Sequence, residues 1–330
     1  MKLRLLLAAT LMLAVAAPAL AEPIVIKFSH VVAVDTPKGQ AAEYFKKLAE
    51  ERTKGAVKVE VYPNSQLYKD KEETEALQIG SVQMLAPSLA KFGPLGVKEF
   101  ELFDLPYIFD SYDTLHTITE GPVGKRLMDK LEVKGIHGLA FWDNGFKVMS
   151  ANTDIRKPEG MKGLKVRIQS SKILDAQMRA LNAIPQVMAF SEVYQALQTG
   201  VVDGTENPPS NLYTQKMFEV QKYVATTYHG YLGYALITNK KFWDGLPADI
   251  RTILEGCIVD ATNFANDIAK QKNDEDLAAV KASGKSEILE LTPAERQAWK
   301  SALVKVHDEM SERIGKELIQ EVYQATGFKK

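Results

Sequence analysis

GMKGLKVRIQSSKILDAQMRALNAIPQVMAFSEVYQALQTGVVDGTENPPSN, residues 160–211, is the stretch on which the reading of this chain turns. Residues 164–168, LKVRI, place apolar side chains on one face of a strand and Lys165 and Arg167 on the other. Ser170 or Ser171 then caps a helix to about Asn182, and a second helix runs from Ser191 to Gly200. Val201-Val202 reads as a short strand into an Asp203-Gly204 turn, and Asn207-Pro208-Pro209 makes a second turn. Strand and helix alternate, which is the grammar of an α/β lobe. Arg167 ends its strand just before a helix cap, where open α/β sheets place ligands. A guanidinium there can hold a carboxylate through two parallel hydrogen bonds. On an isolated strand, a solvated arginine is the commoner explanation of the same residue, and only its place before the helix cap argues otherwise.

Working outward, residues 24–29 form a β-branched strand followed directly by His30. Thr36-Pro37 opens a helix with apolar spacing through Ala49, and Gly55 stops it. Val57, Val59 and Val61 alternate as a half-buried strand, so the chain opens strand–helix–strand with parallel pairing. Residues 82–85 form another strand, with Ser88 and Lys91 in the loop after it, and residues 112–130 read as one helix. Residues 136–141 and 146–149 read as strands around a Trp142-Asp143-Asn144-Gly145 turn. A helical segment with no internal proline runs from Pro247 to about Ala282, long enough to brace more than one lobe. Thr292-Pro293 with Glu295 opens a last helix with capping-box spacing. The pattern A-L-Q-x-G-x-V occurs at residues 76–82 and again at 196–202, which favours two similar lobes over one large sheet. The expected fold is therefore α/β, with two similar lobes and a long helix bracing both.

Residues 1–21 stand apart. Lys2 and Arg4 precede an apolar run over residues 5–17, Pro18 breaks it, and Ala19-Leu20-Ala21 is a small-x-small site. That is the pattern of a secretory signal peptide cleaved after Ala21, and the run is shorter than the ~20 residues of a membrane span. Removing Lys2 and Arg4 takes the formal charge from -1 to -3, so neither nucleic acid nor an anionic membrane is an expected partner. Cys257 is the single cysteine and reads as a buried small hydrophobe. Catalytic signatures are missing: there is no G-x-S-x-G, no phosphate loop, no H-E-x-x-H and no C-x-x-C, and the five histidines are scattered. Neither a cofactor nor a metal is expected.

Residues 141–211, beginning FWDNGFKVMSANTDIRKPEG, together with YPNSQL at 62–67 and HGYLGYALITNKKFWDGLP at 229–247, resemble the DctP family. These are the extracytoplasmic solute receptors of TRAP (tripartite ATP-independent periplasmic) transporters. The resemblance spans the whole chain after residue 21 and is greatest to the branch that binds C4-dicarboxylates. It implies an α/β, two-lobe periplasmic binding protein fold with a hinged cleft that closes on an organic acid and a long helix bracing both lobes, residues 22–144 with about 233–272 and residues 145–232 with about 273–330. It places the family's carboxylate-pairing arginine on Arg167 and its ligand-binding asparagine on Asn207. Lys147 falls where sialic-acid receptors carry a second arginine, which suits a compact diacid. His30, Ser88 and Lys91 occupy further positions near the ligand, and Phe190 an apolar wall. Asp70 matches a polar ligand contact of the sialic-acid branch; beside a dianion it reads as a rim residue.

The resemblance implies a monomeric periplasmic binder, not an enzyme, for succinate, fumarate or malate, with membrane subunits of the DctQ and DctM type as partners. A 2-oxo or aromatic acid as ligand, a periplasmic hydrolase, and a sensor subunit are the alternatives.

Overall fold

The computed structural model describes residues 22–330, and the expected signal peptide lies outside the described residues. Among the described residues there are eleven strands: β1 (Ile24–Ser29), β2 (Val57–Tyr62), β3 (Met84–Leu85), β4 (Ile136–Phe146), β5 (Val148–Ala151), β6 (Lys165–Ile168), β7 (Ile184–Val187), β8 (Gly204–Asn207), β9 (Tyr223–Ala225), β10 (Tyr231–Asn239) and β11 (Glu287–Leu289). They form two sheets, ordered β2-β1-β3-β10-β4 and β11-β9-β5-β8-β6-β7. The helices are α1 (Pro37–Arg52), α2 (Glu73–Gln78), α3 (Tyr112–Thr119), α4 (Pro122–Asp129), α5 (Lys172–Ala180), α6 (Val193–Gln198), α7 (Pro209–Thr214), α8 (Lys240–Asp244), α9 (Ala248–Ser283), α10 (Pro293–Leu303), α11 (Val306–Glu309), α12 (Ser311–Ile314) and α13 (Lys316–Thr326). The two mixed sheets with their helices are the α/β fold expected from the sequence.

Each sheet has a parallel kernel. In the first, β1 pairs in parallel with β2 and β3; in the second, β6 pairs in parallel with β7 and β8. The repeated A-L-Q-x-G-x-V pattern marks the same device in both. α2 and α6 each end two residues before a glycine with positive φ, Gly80 at 79° and Gly200 at 72°. Glycine takes this left-handed conformation at no steric cost and so ends the helix.

Two antiparallel segments join the sheets. β4 and β10 pair along the first sheet, and every residue of β10 is buried. A strand buried on both faces reads as a continuous apolar run, which YLGYALITN nearly is. β4 runs through to Phe146 and β10 starts at Tyr231, so both reach the crossing into the second sheet.

α9 braces the two sheets. At 1.5 Å per residue its 36 residues span roughly 54 Å. Leu254, Cys257, Ile258, Ala261 and Ala265 pack with Phe28, Phe45 and Trp142 in the first sheet's core. Val280, further along the helix, packs with Val148, Val193 and Leu212 of the second. Cys257 is fully buried, as expected. At the C-terminus, α10 and α11 pack on α5, and α13 packs on α3.

Three local expectations are corrected. Residues 142–145 are strand, not turn, because α9 holds them extended: Trp142 Nε1 donates to Thr262 Oγ1 (2.9 Å), the Asp143 amide to Asn266 Oδ1 (2.9 Å), and Asn273 Nδ2 to the Asn144 carbonyl (2.9 Å). Residues 112–130 are two helices, because Gly121-Pro122 ends α3 and supplies the first residue of α4. The strand expected at Val201-Val202 lies at β8 instead. Gly204 belongs to that strand rather than to a turn, since a Cβ there would sit 2.5 Å from the Ser150 carbonyl oxygen of β5.

Candidate functional site

The carboxyl ends of the two parallel kernels converge on one narrow cavity of about 20 Å³. That is room for about one water molecule, well short of the ~300 Å³ at which pockets for small ligands begin. Val31, Val32, Lys38, Asp70, Glu73, Ser88 and Lys91 line it from the first sheet's side, Arg167, Gln169, Phe190, Asn207 and Asn211 from the second's, with Leu232 and Tyr234 of β10 between. A larger and more open groove of about 700 Å³ lies between residues 107–113, Tyr228, α9 and α10. Its cations, Lys270, Arg296 and Lys300, are not buried, whereas Lys38, Lys91 and Arg167 are. Charge-assisted hydrogen bonds gain strength where water is excluded, so the smaller cavity is the candidate site for an anion.

Arg167 is buried at 2 % exposure while Lys165, two residues earlier on β6, stays exposed. Its Nε and Nη2 both donate to the Met188 carbonyl, at 3.1 and 3.0 Å. That contact uses the side edge of the guanidinium and fixes its plane. Nη1 makes no hydrogen bond among the described residues, so the end-on edge, Nη1 with the second hydrogen of Nη2, is left for a ligand. The Phe190 ring lies 5.7 Å from Cζ and covers the cation. Burial lowers the Arg167 pKa, opposed by Asp70 and Glu206; an arginine stays protonated all the same.

Asp70 is not on the rim. It is 5 % exposed, accepts from Lys91 Nζ at 2.6 Å and from the Phe190 amide at 3.1 Å, and lies 3.8 Å from Arg167 Nη2. Burial opposes its ionisation, but Lys91 and Arg167 outweigh burial and hold its pKa below the usual carboxylate value. Asp70 is thus the internal counter-ion of two cavity cations, which removes the objection that it would only repel a dianion.

Asn207 closes β8 at the cavity. Its Nδ2 donates weakly to Thr205 Oγ1 (3.2 Å), and its Oδ1 is buried with no hydrogen-bond partner. Turning the amide about its terminal torsion would give the Thr205 hydroxyl an acceptor and place the N–H pair where Oδ1 now lies. Ser88 lines the cavity beside Tyr234, with which it forms an isolated backbone bridge.

The structure thus brings Arg167, Asn207, Ser88, Lys91 and Phe190 together and leaves Lys147 and His30 outside the lining. Lys147 sits where the chain crosses between sheets and donates to Glu206 Oε1 at 2.9 Å. Glu206 Oε2 is 2.9 Å from His229 Nε2. Burial disfavours the Glu206 carboxylate, but Lys147 and His229 pull its pKa down to about 2. His30 is fully buried, and both its ring nitrogens lack partners. Burial, then the nearby Lys38 charge, lowers its pKa to about 3, so it is neutral.

Periodicity gave no reason to single out Lys38, Glu73, Asn211 or Tyr234. Lys38 is 1 % exposed, donates to the Ala86 carbonyl at 2.8 Å, and lies 3.8 Å from the Tyr234 ring centroid. One signal was available. Lys38 stands in the first turn of α1, where the helix dipole disfavours a cation. Glu73 heads α2 as an ordinary first-turn acid and carries no such signal.

A pair of α/β units braced by one helix, closing on a cavity lined by buried cations, is the construction of a receptor for anionic solutes. Residues 28–313 match the family model of bacterial extracellular solute-binding protein family 7, DctP. The chain belongs to that family, one of solute-binding proteins rather than enzymes. It is 67% identical over 319 residues, 97% of this chain and 96% of the relative, to the C4-dicarboxylate-binding periplasmic protein DctP of Rhodobacter capsulatus. Among solved structures, it is similar to a TRAP periplasmic solute binding protein from Shewanella oneidensis with bound succinate: TM-score 0.90, 41% identity, covering 92% of this chain and 99% of that one. A TRAP periplasmic solute binding protein from Pseudomonas aeruginosa with bound L-malate gives a TM-score of 0.85 at 44% identity, covering 87% of this chain and 100% of that one.

Proposed function

We propose that this chain is the solute receptor of a TRAP transporter. It is exported by its first 21 residues, captures a C4-dicarboxylate such as succinate, fumarate or malate in the periplasm, and passes it to membrane subunits of the DctQ and DctM type. The observation that carries the reading is the open end-on edge of Arg167, pinned by Met188 and buried in a cavity with two further cations. Two carboxylates on a short chain need cations on both sides of a small cavity, and Lys38 and Lys91 stand on the first-sheet side, opposite Arg167. The relative and the structures above bind C4-dicarboxylates by their own descriptions.

In this reading the two sheets are the centres of two lobes, with boundaries near residues 144 and 233. Ligand contacts from both lobes exist only when these meet, so binding energy drives closure. A thermal-shift screen over mono-, di- and 2-oxo acids and aromatic acids tests it. A ligand at 100 times its dissociation constant adds about 2.7 kcal/mol of stability. Succinate, fumarate or malate should raise Tm by several degrees; a response to monocarboxylates or aromatic acids alone would overturn the assignment.

A further inference from the structure

We propose that ligand binding completes the protonation of Glu73, so that capture of a dicarboxylate dianion takes up as much as one proton from solvent. This rests on the functional reading above and assigns a role to a residue that reading leaves idle.

The ionisable groups lining the cavity are the cations Lys38, Lys91 and Arg167 and the acids Asp70 and Glu73, together with the Tyr234 phenol. With all five charged groups ionised, the empty cavity carries one net positive charge. A dianion would turn that into one net negative charge, sealed away from water, where an uncompensated charge is costly. One proton restores neutrality.

The geometry selects the acceptor. Asp70 is held ionised by Lys91 at 2.6 Å, by the Phe190 amide at 3.1 Å and by Arg167 at 3.8 Å. Glu73 is 1 % exposed and forms no side-chain hydrogen bond or ion pair among the described residues. The groups that face it are Lys38 from α1, Asp70 from the segment before α2, Lys91 from the turn after β3 and Tyr234 from β10. Arg167 of β6 stands behind Asp70, and His30, beside Lys38, is neutral. β3 itself brings only Met84 and Leu85. Glu73 therefore has one acid and two lysines as neighbours, and a dicarboxylate would claim the lysines. Burial, against the Lys38 charge, already lifts its pKa to about 7. Drawing Lys38 and Lys91 towards a ligand removes what keeps it ionised. As a protonated acid it gains an O–H that can donate to the incoming carboxylate.

The test is calorimetric titration with succinate at pH 7.5 in phosphate and in Tris, whose ionisation enthalpies differ, paired with infrared difference spectroscopy using isotope-labelled succinate to move the ligand's own bands. The expected results are uptake approaching one proton per succinate, a dissociation constant rising towards tenfold per pH unit above pH 7, and the C=O stretch of a protonated carboxylic acid appearing on binding. That band is absent in Glu73→Gln. Binding with equal heat in both buffers overturns the proposal. So does proton uptake without the band, which would place the proton on Lys38, or a band that persists in Glu73→Gln. The infrared measurement on the unaltered chain stands whether or not the variant folds. Absence of succinate binding altogether would strike the functional reading instead.

Discussion

Replacing Arg167 with alanine removes a buried cation whose end-on edge makes no hydrogen bond among the described residues. Its end-on edge offers two charge-assisted hydrogen bonds, each worth about 1.5–3 kcal/mol. Removing one partner of a buried ion pair costs about 3–5 kcal/mol, which covers the same loss counted another way. The carbonyl of Met188 loses its donors in the free and bound protein alike, so that cost cancels in binding. Succinate affinity should therefore fall by about 3–5 kcal/mol, or roughly 100- to 4000-fold in Kd. Arg167→Lys separates charge from shape. It keeps the cation and loses the fork, so about half the penalty is expected, roughly 10- to 100-fold. Isothermal calorimetry reads both, with circular dichroism to confirm the fold. An alanine variant that binds within threefold of the unaltered protein refutes the reasoning about the edge; a lysine variant equal to it refutes the reasoning about geometry.

Other consequences concern stability. Asp70→Asn strips Lys91 and Arg167 of their shared counter-ion, so the unliganded protein should lose about 3–5 kcal/mol, while the rise in Tm on adding succinate should grow, because the ligand now supplies the missing charge. His30 is neutral because its folded pKa is depressed to about 3 from the ordinary 6.5. Its contribution is full above pH 6.5 and is lost as the pH falls towards 3, so urea titrations should show a steeper acid decline than in His30→Phe. Gly204→Ala forces a Cβ to 2.5 Å from the Ser150 carbonyl oxygen. It should cost about 1–3 kcal/mol by overpacking, measured by urea denaturation.

Much of the architecture was legible in the sequence because local signals and the global fold agree. Thr36-Pro37 caps α1, Thr292 and Glu295 form the capping box of α10, and the proline-free run after Pro247 is α9. Agreement between levels is what makes a pattern readable. Where partners distant in sequence decide, the pattern misled. Asp143-Asn144-Gly145 has turn chemistry but is pulled straight by Thr262, Asn266 and Asn273 of α9. The cavity divides in the same way. Arg167 and Asn207 stand at strand ends, where topology itself points to a ligand. Lys38, Glu73 and Asp70 look like solvated charges in sequence; only the packing of α1 and α2 against β10 and the 3-10 turn at Leu89–Lys91 turns them inward. Lys147, placed near the ligand by resemblance, is spent on Glu206 at the crossing between sheets.

The central claim is that the cavity between the two sheets takes a C4-dicarboxylate on the open edge of Arg167. A crystal structure grown with succinate tests it most directly. One ligand carboxylate should lie end-on to Nη1 and Nη2 of Arg167, about 2.7–2.9 Å away, with the other towards Lys38 and Lys91 and the Asn207 amide turned to donate. Succinate bound in the open groove beside α9, or in the cavity with Arg167 left uncontacted, would contradict it.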